Sequence, residues 1–198
     1  MTIKPLQLPN PVPMVCPLTQ ALGKRRSQRE FSKKPLDPAL LSTLLWSCSG
    51  MTSESGLRTV PSAMDCREVS VFVFDKSGVR RYDETTARLL PVQEDDRRAD
   101  TTLGQDFVKT APVTLLFALD KTRCQKYPGT AAEKCWYIDV GCMVQAGQLA
   151  ATALGLASVA RASFDEPLVS AILSPDNRYI PAMALTIGYP ARCETLGD

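Results

Sequence analysis

Two short segments of the sequence are apolar on both faces of a strand, and they constrain the architecture most strongly. In VSVFVF, residues 69–74, valines alternate with serine and phenylalanine, so both faces of a strand are largely apolar. VTLLFALD, residues 113–120, has the same character. A strand that is buried on both faces lies inside a sheet covered on both sides. The sequence therefore predicts a central sheet flanked by helices.

The segments around these strands predict an α+β fold in one domain. Residues 75–78 are typical of a hairpin turn that joins the first buried strand to GVRRYD. Asp37 is a suitable N-cap, Pro38 suits the first helical position, and Gly50 suits the end of the helix between them. The other predicted elements are helices within 18–26, 131–156 and 166–173, a helix that ends before Pro112, and strands at 157–161 and 182–190.

The first residues of the chain differ in composition from the remainder. Five prolines occur by Pro17, and proline both fixes φ and lacks the N–H donor that helices and sheets require. Residues 1–16 are therefore predicted to form an extended, proline-rich arm. Residues 17–198 are predicted to form a single domain, with no internal repeat and no low-complexity segment.

Several classes of protein are excluded by what the sequence lacks. It contains no histidine, which removes Ser-His-Asp and Cys-His catalysis and most zinc enzymes. The seven cysteines include no C-x-x-C pair, so no metal site is predicted. The net charge of +2 disfavours nucleic-acid binding, and no apolar run is long enough to span a membrane. No signal peptide is visible, which favours a cytoplasmic location; a trimmed secreted or periplasmic form would have the same features.

A basic run, GKRRSQREFSKK at residues 23–34, is the first candidate for a binding site. Arg25, Ser27 and Arg29 alternate, so in an extended segment they point the same way. Arginine suits a phosphate group because its planar fork can bind two oxygens. Phe31 continues the alternation and could instead anchor the segment in the core. A solvated, charged turn after a helix explains the same pattern without a ligand.

A second candidate is RTVPSAMDCRE, residues 58–68, which interrupts the chain just before the first buried strand. Pro61, Ser62 and Ala63 are small or rigid residues at a strand entrance, where a planar ligand can approach the backbone. Taken alone, the segment is better explained as a simple turn.

Together these segments resemble the FMN-dependent nitroreductase family. RRSQREF, residues 25–31, resembles the family's R-x-S-x-[RK]-x-F segment, and RTVPSAMD, residues 58–65, resembles its P-S-[SA] segment. GLASVARASFD and LTIGYP resemble the family's flavin-edge strand and final core strand. The resemblance covers roughly residues 17–192 in the family's order. Its details are closer to the short branch that includes thiazoline and oxazoline oxidases.

The resemblance implies a mostly antiparallel central sheet, a homodimer, and an FMN site at the subunit interface. It assigns Arg25, Ser27 and Arg29, with Arg26 beside them, to the FMN phosphate and ribityl chain. The other positions that it implies at the site are Pro61, Ser62, Ala63, Asp65, Gln145, Arg161, Ala162 and Arg192. The backbone at Arg161 and Ala162 matches the segment that meets the flavin N5 atom, and Arg192 matches a second phosphate-binding cation.

Asp65 departs from the family pattern, because relatives commonly have asparagine at this position. A carboxylate close to the reduced flavin would lower its redox potential. Alternatively, Asp65 points to Arg67 or Arg58 and is neutralised there.

The activity implied by the resemblance is a ping-pong hydride transfer through FMN. NADH or NADPH would donate electrons, and a small nitroaromatic or quinone-like molecule would accept them. The cofactor carries this chemistry, so a chain without histidine can be such an enzyme. No side chain is assigned a catalytic role. The alternatives are a flavin-binding or degenerate member without nicotinamide-driven turnover, and an FMN-dependent dehydrogenase or oxidase.

Overall fold

The computed structural model describes residues 4–125 and 128–191 and contains one sheet between helical layers. The strands are β1 (Leu6–Gln7), β2 (Val69–Asp75), β3 (Gly78–Asp83), β4 (Arg88–Gln93), β5 (Val113–Asp120), β6 (Ala157–Arg161) and β7 (Tyr179–Gly188). The helices are α1 (Leu18–Lys24), α2 (Pro38–Ser49), α3 (Phe107–Thr110), α4 (Lys121–Cys124), α5 (Thr130–Ala153) and α6 (Glu166–Leu173). Short 3-10 helices cover Ala63–Asp65 and Arg98–Thr101.

The seven strands follow the order β1-β4-β3-β2-β5-β7-β6, and every neighbouring pair is antiparallel. The predicted α+β class and the mostly antiparallel sheet are confirmed. The two segments that are apolar on both faces form the neighbouring central strands β2 and β5. These strands pair from Val69↔Leu119 to Asp75↔Val113. Their burial on both faces follows from this central position.

The alternation within β2 separates two hydrophobic layers. Val71 and Val73 face the larger core, together with Leu44 of α2 and Val144 of α5. Phe72 and Phe74 face a second core, where α6 contributes Val169, Ile172 and Leu173. Both faces of the sheet are therefore covered, as the sequence pattern predicted.

Helix α2 begins and ends where its sequence signals predicted. The side chain of Asp37 accepts a hydrogen bond from the Ala39 N–H at 2.7 Å, and Pro38 is the first helical residue. Gly50 follows the last turn with φ −69°, so a left-handed conformation is not the reason for glycine here. A Cβ at this position would lie 2.2 Å from Cδ1 of Trp46. Glycine is required because the indole occupies that space.

The edge of the sheet was not predicted. Residues 88–93 form β4 although they include Pro91, and β1 pairs beside them at Leu6↔Leu89. Leu8 is buried in the larger core, so the N-terminal arm contributes both a short strand and a core residue. The helix predicted before Pro112 is present only as the single turn α3.

None of the described helices has an apolar stretch long enough to cross a bilayer.

Candidate functional site

The basic run leaves α1 and lies along the free edge of strand β6. Arg25 follows the last residue of α1, and its N–H caps the helix by donating to the Ala21 carbonyl at 2.9 Å. Ser27 forms a parallel bridge with Ser158, and the Gln28 N–H donates to the Ser158 carbonyl at 2.9 Å. The run is therefore an ordered addition to the sheet rather than an unconstrained turn.

Phe31 fixes the end of this run in the core. Its ring is buried, packs with Ala157 and Val159 of β6, and lies 6.0 Å from the ring of Phe107. Phe31 also bridges Pro190, while the Ala191 N–H donates to the Glu30 carbonyl at 3.1 Å. The anchoring role that the sequence left open for Phe31 is the one it has here.

The arginines of the run differ in what they contact. Arg26 donates from Nη1 to the carbonyls of Gly23 at 3.0 Å and Arg25 at 2.7 Å. Ser27 and Arg29 are exposed, and Arg25 is half-buried. Within residues 4–125 and 128–191, no carboxylate lies within ion-pairing distance of these three arginines. Arg25 and Arg29 thus offer their charge to a ligand, and the group suits a phosphate dianion.

The second segment forms a strained turn at the entrance of β2. Met64, Asp65 and Arg67 have φ of 54°, 49° and 52°, in the left-handed region that residues other than glycine rarely adopt. The Ser62 hydroxyl accepts from the Arg67 N–H at 2.8 Å and donates to Glu68 Oε2 at 3.4 Å. Because its hydroxyl proton is used inside the turn, Ser62 would meet a ligand through its backbone.

Two buried carboxyl groups support this turn, and the sequence analysis missed both. Oδ2 of Asp139, on α5, accepts a hydrogen bond from the Ala63 N–H at 2.7 Å. Glu68 lies directly beneath, fully buried. Burial, followed by the charge of Asp139 and a hydrogen bond with it, raises the pKa of Glu68. A signal for the pair existed in the sequence, because each residue is an acid at the edge of an apolar stretch.

Asp65 is held by Arg67. Nε of Arg67 lies 2.7 Å from Oδ1 of Asp65, and Nη2 lies 3.2 Å from Oδ2. The same Nη2 also donates to the Gly56 carbonyl at 3.0 Å. This geometry corresponds to the alternative in which the charge of Asp65 is neutralised within the turn.

Arg161 is buried at the end of β6 and hydrogen-bonds only neutral oxygens among the described residues. Nε donates to Thr186 Oγ1 at 2.8 Å, Nη2 donates to Thr101 Oγ1 at 2.9 Å, and Nη1 donates to the Thr101 carbonyl. Burial lowers the pKa of Arg161 to about 10, so it remains a cation at neutral pH. Ala162, the next residue, is exposed. The backbone at Ala162 is thus accessible, with a positive charge behind it.

Of the remaining predicted positions, the structure describes Gln145. Gln145 is exposed on α5, whereas Gln148 is buried. Gly147 is also buried, since a Cβ there would lie 2.8 Å from both Cys48 Sγ and Leu185 Cδ2. The small residues around Gly147 therefore allow α2 and β7 of the same chain to pack closely against α5. Arg192 lies outside the described residues.

The structure does not bring the two candidate segments together within one chain. Ser27 lies four strand spacings from β2, at the level of Asp75, because Ser158, Ile187, Val113 and Asp75 are successive partners across the sheet. The turn at Ser62 lies at the opposite end of β2. At about 4.8 Å between strands and 3.3 Å per residue, the separation is roughly 25–30 Å.

No metal-binding group of three or more histidine, cysteine, aspartate or glutamate side chains occurs in the described part of the chain.

Comparison with known proteins identifies relatives for nearly the whole domain. The sequence model described as the Nitroreductase family matches residues 22–189. A candidate nitroreductase of Methanocaldococcus jannaschii is 31% identical over 165 residues, covering 79% of this chain and 83% of the relative.

Solved structures agree with this match. A candidate nitroreductase from Ralstonia eutropha JMP134 superposes with a TM-score of 0.88 at 31% identity, over 95% of this chain and 90% of the other. A candidate nitroreductase from Desulfovibrio desulfuricans, solved in complex with FMN, superposes with a TM-score of 0.65 at 20% identity, over 92% and 91% of the two chains.

Proposed function

The chain belongs to the nitroreductase family of FMN-dependent oxidoreductases, and on that premise we propose that it binds FMN between two copies of itself. In this arrangement the basic run of one copy holds the phosphate. The turn at Pro61, Ser62 and Ala63 of the other copy covers the flavin. When bound, FMN supplies hydride transfer from NADH or NADPH to a small nitroaromatic or quinone-like acceptor, with the donor leaving before the acceptor enters.

The observation that carries this proposal is the separation of the two segments. Each segment is ordered and suited to a flavin nucleotide, yet they lie roughly 25–30 Å apart in one protomer. Ser27 is fixed to the outer edge of the sheet through Ser158, and Ala63 is fixed to α5 through Asp139. A two-fold arrangement of two chains can place the basic run of one copy beside the turn of the other.

Exposed apolar side chains support the presence of a second copy. Val15, before α1, is 93% exposed, Leu18 in α1 is 64% exposed, and Ile138 is 61% exposed on α5. Helices α1 and α5 pack against each other, so these side chains belong to neighbouring elements. Gln145 is exposed on the same helix as Ile138 and would line the interface or the flavin pocket.

The chain's own residues would act on the cofactor by binding and electrostatics. Arg25 and Arg29 would neutralise the phosphate, with Ser27 between them as a hydroxyl donor. The exposed backbone at Ala162 would face the flavin N5 atom, and the buried cation of Arg161 behind it would favour negative charge on a reduced ring. No described side chain is assigned as a proton donor, so water or the substrate supplies protons.

The absorption spectrum of the purified protein tests the cofactor. The expected result is a yellow protein with flavin bands, from which heat releases one FMN per chain. Anaerobic addition of NADH, and separately of NADPH, should then bleach the bands. Menadione or a nitrofuran should restore them. A colourless protein that fails to take up added FMN would overturn the proposal, whereas a yellow protein that neither nucleotide reduces would leave only a flavin-binding role.

A further inference from the structure

A second cavity lies at the end of the sheet where β2 ends and β5 begins. Its volume is about 590 Å³, which is within the range of small-molecule sites. It opens between the start of α2, the β2–β3 turn and α3. Its described lining shares Lys33 with the basic run but includes none of residues 25–29 or 61–65, the positions assigned to the flavin.

The floor of this cavity is apolar. Leu36 and Leu41 contribute from α2 and the residues before it, and Pro112 and Val113 contribute from the start of β5. Leu41 and Val113 belong to the larger hydrophobic core, and Leu36 packs against it. The floor is therefore supported from behind and offers a fixed apolar surface to a ligand.

The rim is cationic and comes from separate segments. Lys33, Lys76, Arg98 and Lys109 line it, with Asp75 as the acidic residue among the described lining. The charge of Asp75 is compensated, since its Oδ2 lies 3.2 Å from Nη1 of Arg80. Asp75 also accepts hydrogen bonds from the N–H and hydroxyl of Ser77.

Arg98 is fixed and largely neutralised. Its guanidinium forms two bonds to Asp96, at 2.9 and 2.7 Å, and a third to the Ala111 carbonyl at 2.7 Å. Lys109 lies 3.3 Å from Asp106 in an exposed pair, which screening makes weak.

The other two cations of the lining are Lys33 and Lys76. Neither has a carboxylate within ion-pairing distance in the described part of the chain. The lining residues and their ion-pair partners comprise five cations and three carboxylates, so the rim carries a surplus of two positive charges.

We propose that this cavity is a second small-molecule site, separate from the flavin, for an organic anion with a compact apolar body. The apolar body lies on Leu36, Leu41, Pro112 and Val113. The carboxylate or other acidic group lies at Lys33 and Lys76. Neither an apolar molecule without the charge nor a small inorganic anion satisfies both parts of the site.

The cavity is also connected to the basic run, because Lys33 belongs to both. Lys33 follows Phe31 by two residues, and the Ser32 N–H between them donates to the Tyr189 carbonyl at 2.8 Å. A ligand that orders Lys33 therefore acts on the same anchored segment that carries Arg29. This places the cavity where an effector would act rather than where a substrate would react.

The test is isothermal titration of the purified full chain, with FMN added to saturation, with three probes. These are 2-naphthoate, its neutral isostere 2-naphthamide, and acetate, which carries the charge without the apolar body. The expected result is binding of 2-naphthoate at least about tenfold tighter than either other probe. It should weaken as salt is added, and the flavin spectrum should not change.

Exposed lysines provide variants that keep the fold. Lys33→Gln combined with Lys76→Gln should lower the affinity for 2-naphthoate at least about tenfold. Lys4→Gln combined with Lys34→Gln, which removes two exposed charges outside the cavity, should leave it unchanged. Equal affinity in both double variants would overturn the proposal, as would equal binding of the naphthamide, or binding that perturbs the flavin bands and ignores Lys33 and Lys76.

Discussion

The backbone N–H of Ala63 donates a hydrogen bond to Oδ2 of Asp139 at 2.7 Å, which joins the turn before β2 to the middle of α5. Asp139 is buried, and its charge contributes to the raised pKa of the fully buried Glu68. A turn with three left-handed residues other than glycine needs such support, because each costs on the order of 1–3 kcal/mol. The protonation of Glu68, which hydrogen-bonds Ser62 of this turn, is therefore coupled to the shape of the proposed flavin-facing turn.

Glu68→Gln is expected to change the pH dependence of stability. The pKa of Glu68 is raised above its ordinary value of 4.5, so the folded state keeps a proton that the unfolded state releases. Stability from this group is present below pH 4.5 and is lost as pH rises through the raised pKa. The variant stays neutral, so it should gain in unfolding free energy relative to the wild type across that window.

Urea denaturation at several pH values from 4.5 to 8 measures this difference. Glu54→Gln, at an exposed position outside the helices and strands, is the matched control and should not show this gain. Parallel curves for the Glu68 variant and the wild type would show that Glu68 ionises normally in the folded protein.

Arg25→Ala and Arg29→Ala should each weaken FMN binding tenfold or more. Each substitution removes a charge-assisted contact to phosphate worth about 1.5–3 kcal/mol. Fluorescence titration of the flavin-free protein with FMN provides the measurement. Riboflavin, which lacks the phosphate, should bind the variants and the wild type alike.

Two neighbouring cations serve as controls for this prediction. Arg26→Ala should have the smaller effect within the run, because its guanidinium is already bound to the carbonyls of Gly23 and Arg25. Lys34→Ala removes a cation that lies 4.4 Å from the centre of the Tyr189 ring and should leave FMN affinity unchanged. Wild-type affinity for FMN in both the Arg25→Ala and the Arg29→Ala proteins would show that the basic run does not bind the phosphate.

Mixing two variants that each bind FMN poorly should restore FMN binding if the flavin lies between two copies of the chain. One variant carries Arg25→Ala and Arg29→Ala, and the other carries Ala63→Trp, which blocks the turn. In a mixed dimer, one site combines the intact basic run of one chain with the intact turn of the other. Up to half of the mixed dimer's sites should then bind FMN, measured as flavin retained after co-refolding.

This experiment separates an interfacial site from a site within one chain. If each chain held its own flavin, both kinds of chain in the mixed dimer would remain defective. No recovery above the two separately refolded variants, despite exchange of subunits, would contradict the shared site.

Asp65→Asn should leave the flavin midpoint potential nearly unchanged. Arg67 already neutralises the carboxylate through two contacts, so little field remains to act on the reduced ring. Arg67→Gln should expose the charge and lower the potential. Redox titration against dyes of known potential measures both variants. A rise on the order of tens of millivolts in the Asp65 variant would instead show that the carboxylate acts on the flavin.

Gly147→Ala should destabilise the fold. The added Cβ would lie 2.8 Å from Cys48 Sγ of α2 and from Leu185 Cδ2 of β7, so these two fully buried side chains would have to shift in a packed core. Overpacking of this kind outweighs the gain in helix propensity and gives a net loss of roughly 1 kcal/mol or more. Gly23→Ala, in α1 with nothing within 4 Å, should instead stabilise slightly. Thermal denaturation of both variants measures the two opposite changes in stability. A Gly147→Ala protein that is more stable than the wild type would show that the space around Gly147 is not closely packed.

Local signals in the sequence were sufficient for the elements that form the centre of the fold. Asp37, Pro38 and Gly50 marked the limits of α2, and the doubly apolar pattern identified β2 and β5 as central strands. These signals act over a few residues. Strand β4 escaped prediction because it contains Pro91 and depends on β1 and β3, which lie elsewhere in the sequence.

The candidate site was only partly accessible from sequence for the same reason. The alternation of Arg25, Ser27 and Arg29 is a local pattern, and Phe31 proved to be its anchor. The support of the turn by Asp139 depends on a contact across 76 positions. The distance between the two segments depends on the order of the four strands β6, β7, β5 and β2. Neither the contact with Asp139 nor the distance between the two segments could be predicted from the spacing of residues along the chain.

The bridges of Ser27 to Ser158 and of Phe31 to Pro190 have a consequence for biosynthesis. Residues 25–31 leave the ribosome early, whereas their partners are among the last parts of the domain to be made. Residues 25–31 therefore lack their sheet neighbours until β6 and β7 have emerged. If this run holds the flavin phosphate as proposed, the cofactor would be loaded only after these last strands have been made, and a nascent chain stalled before residue 157 would not retain it.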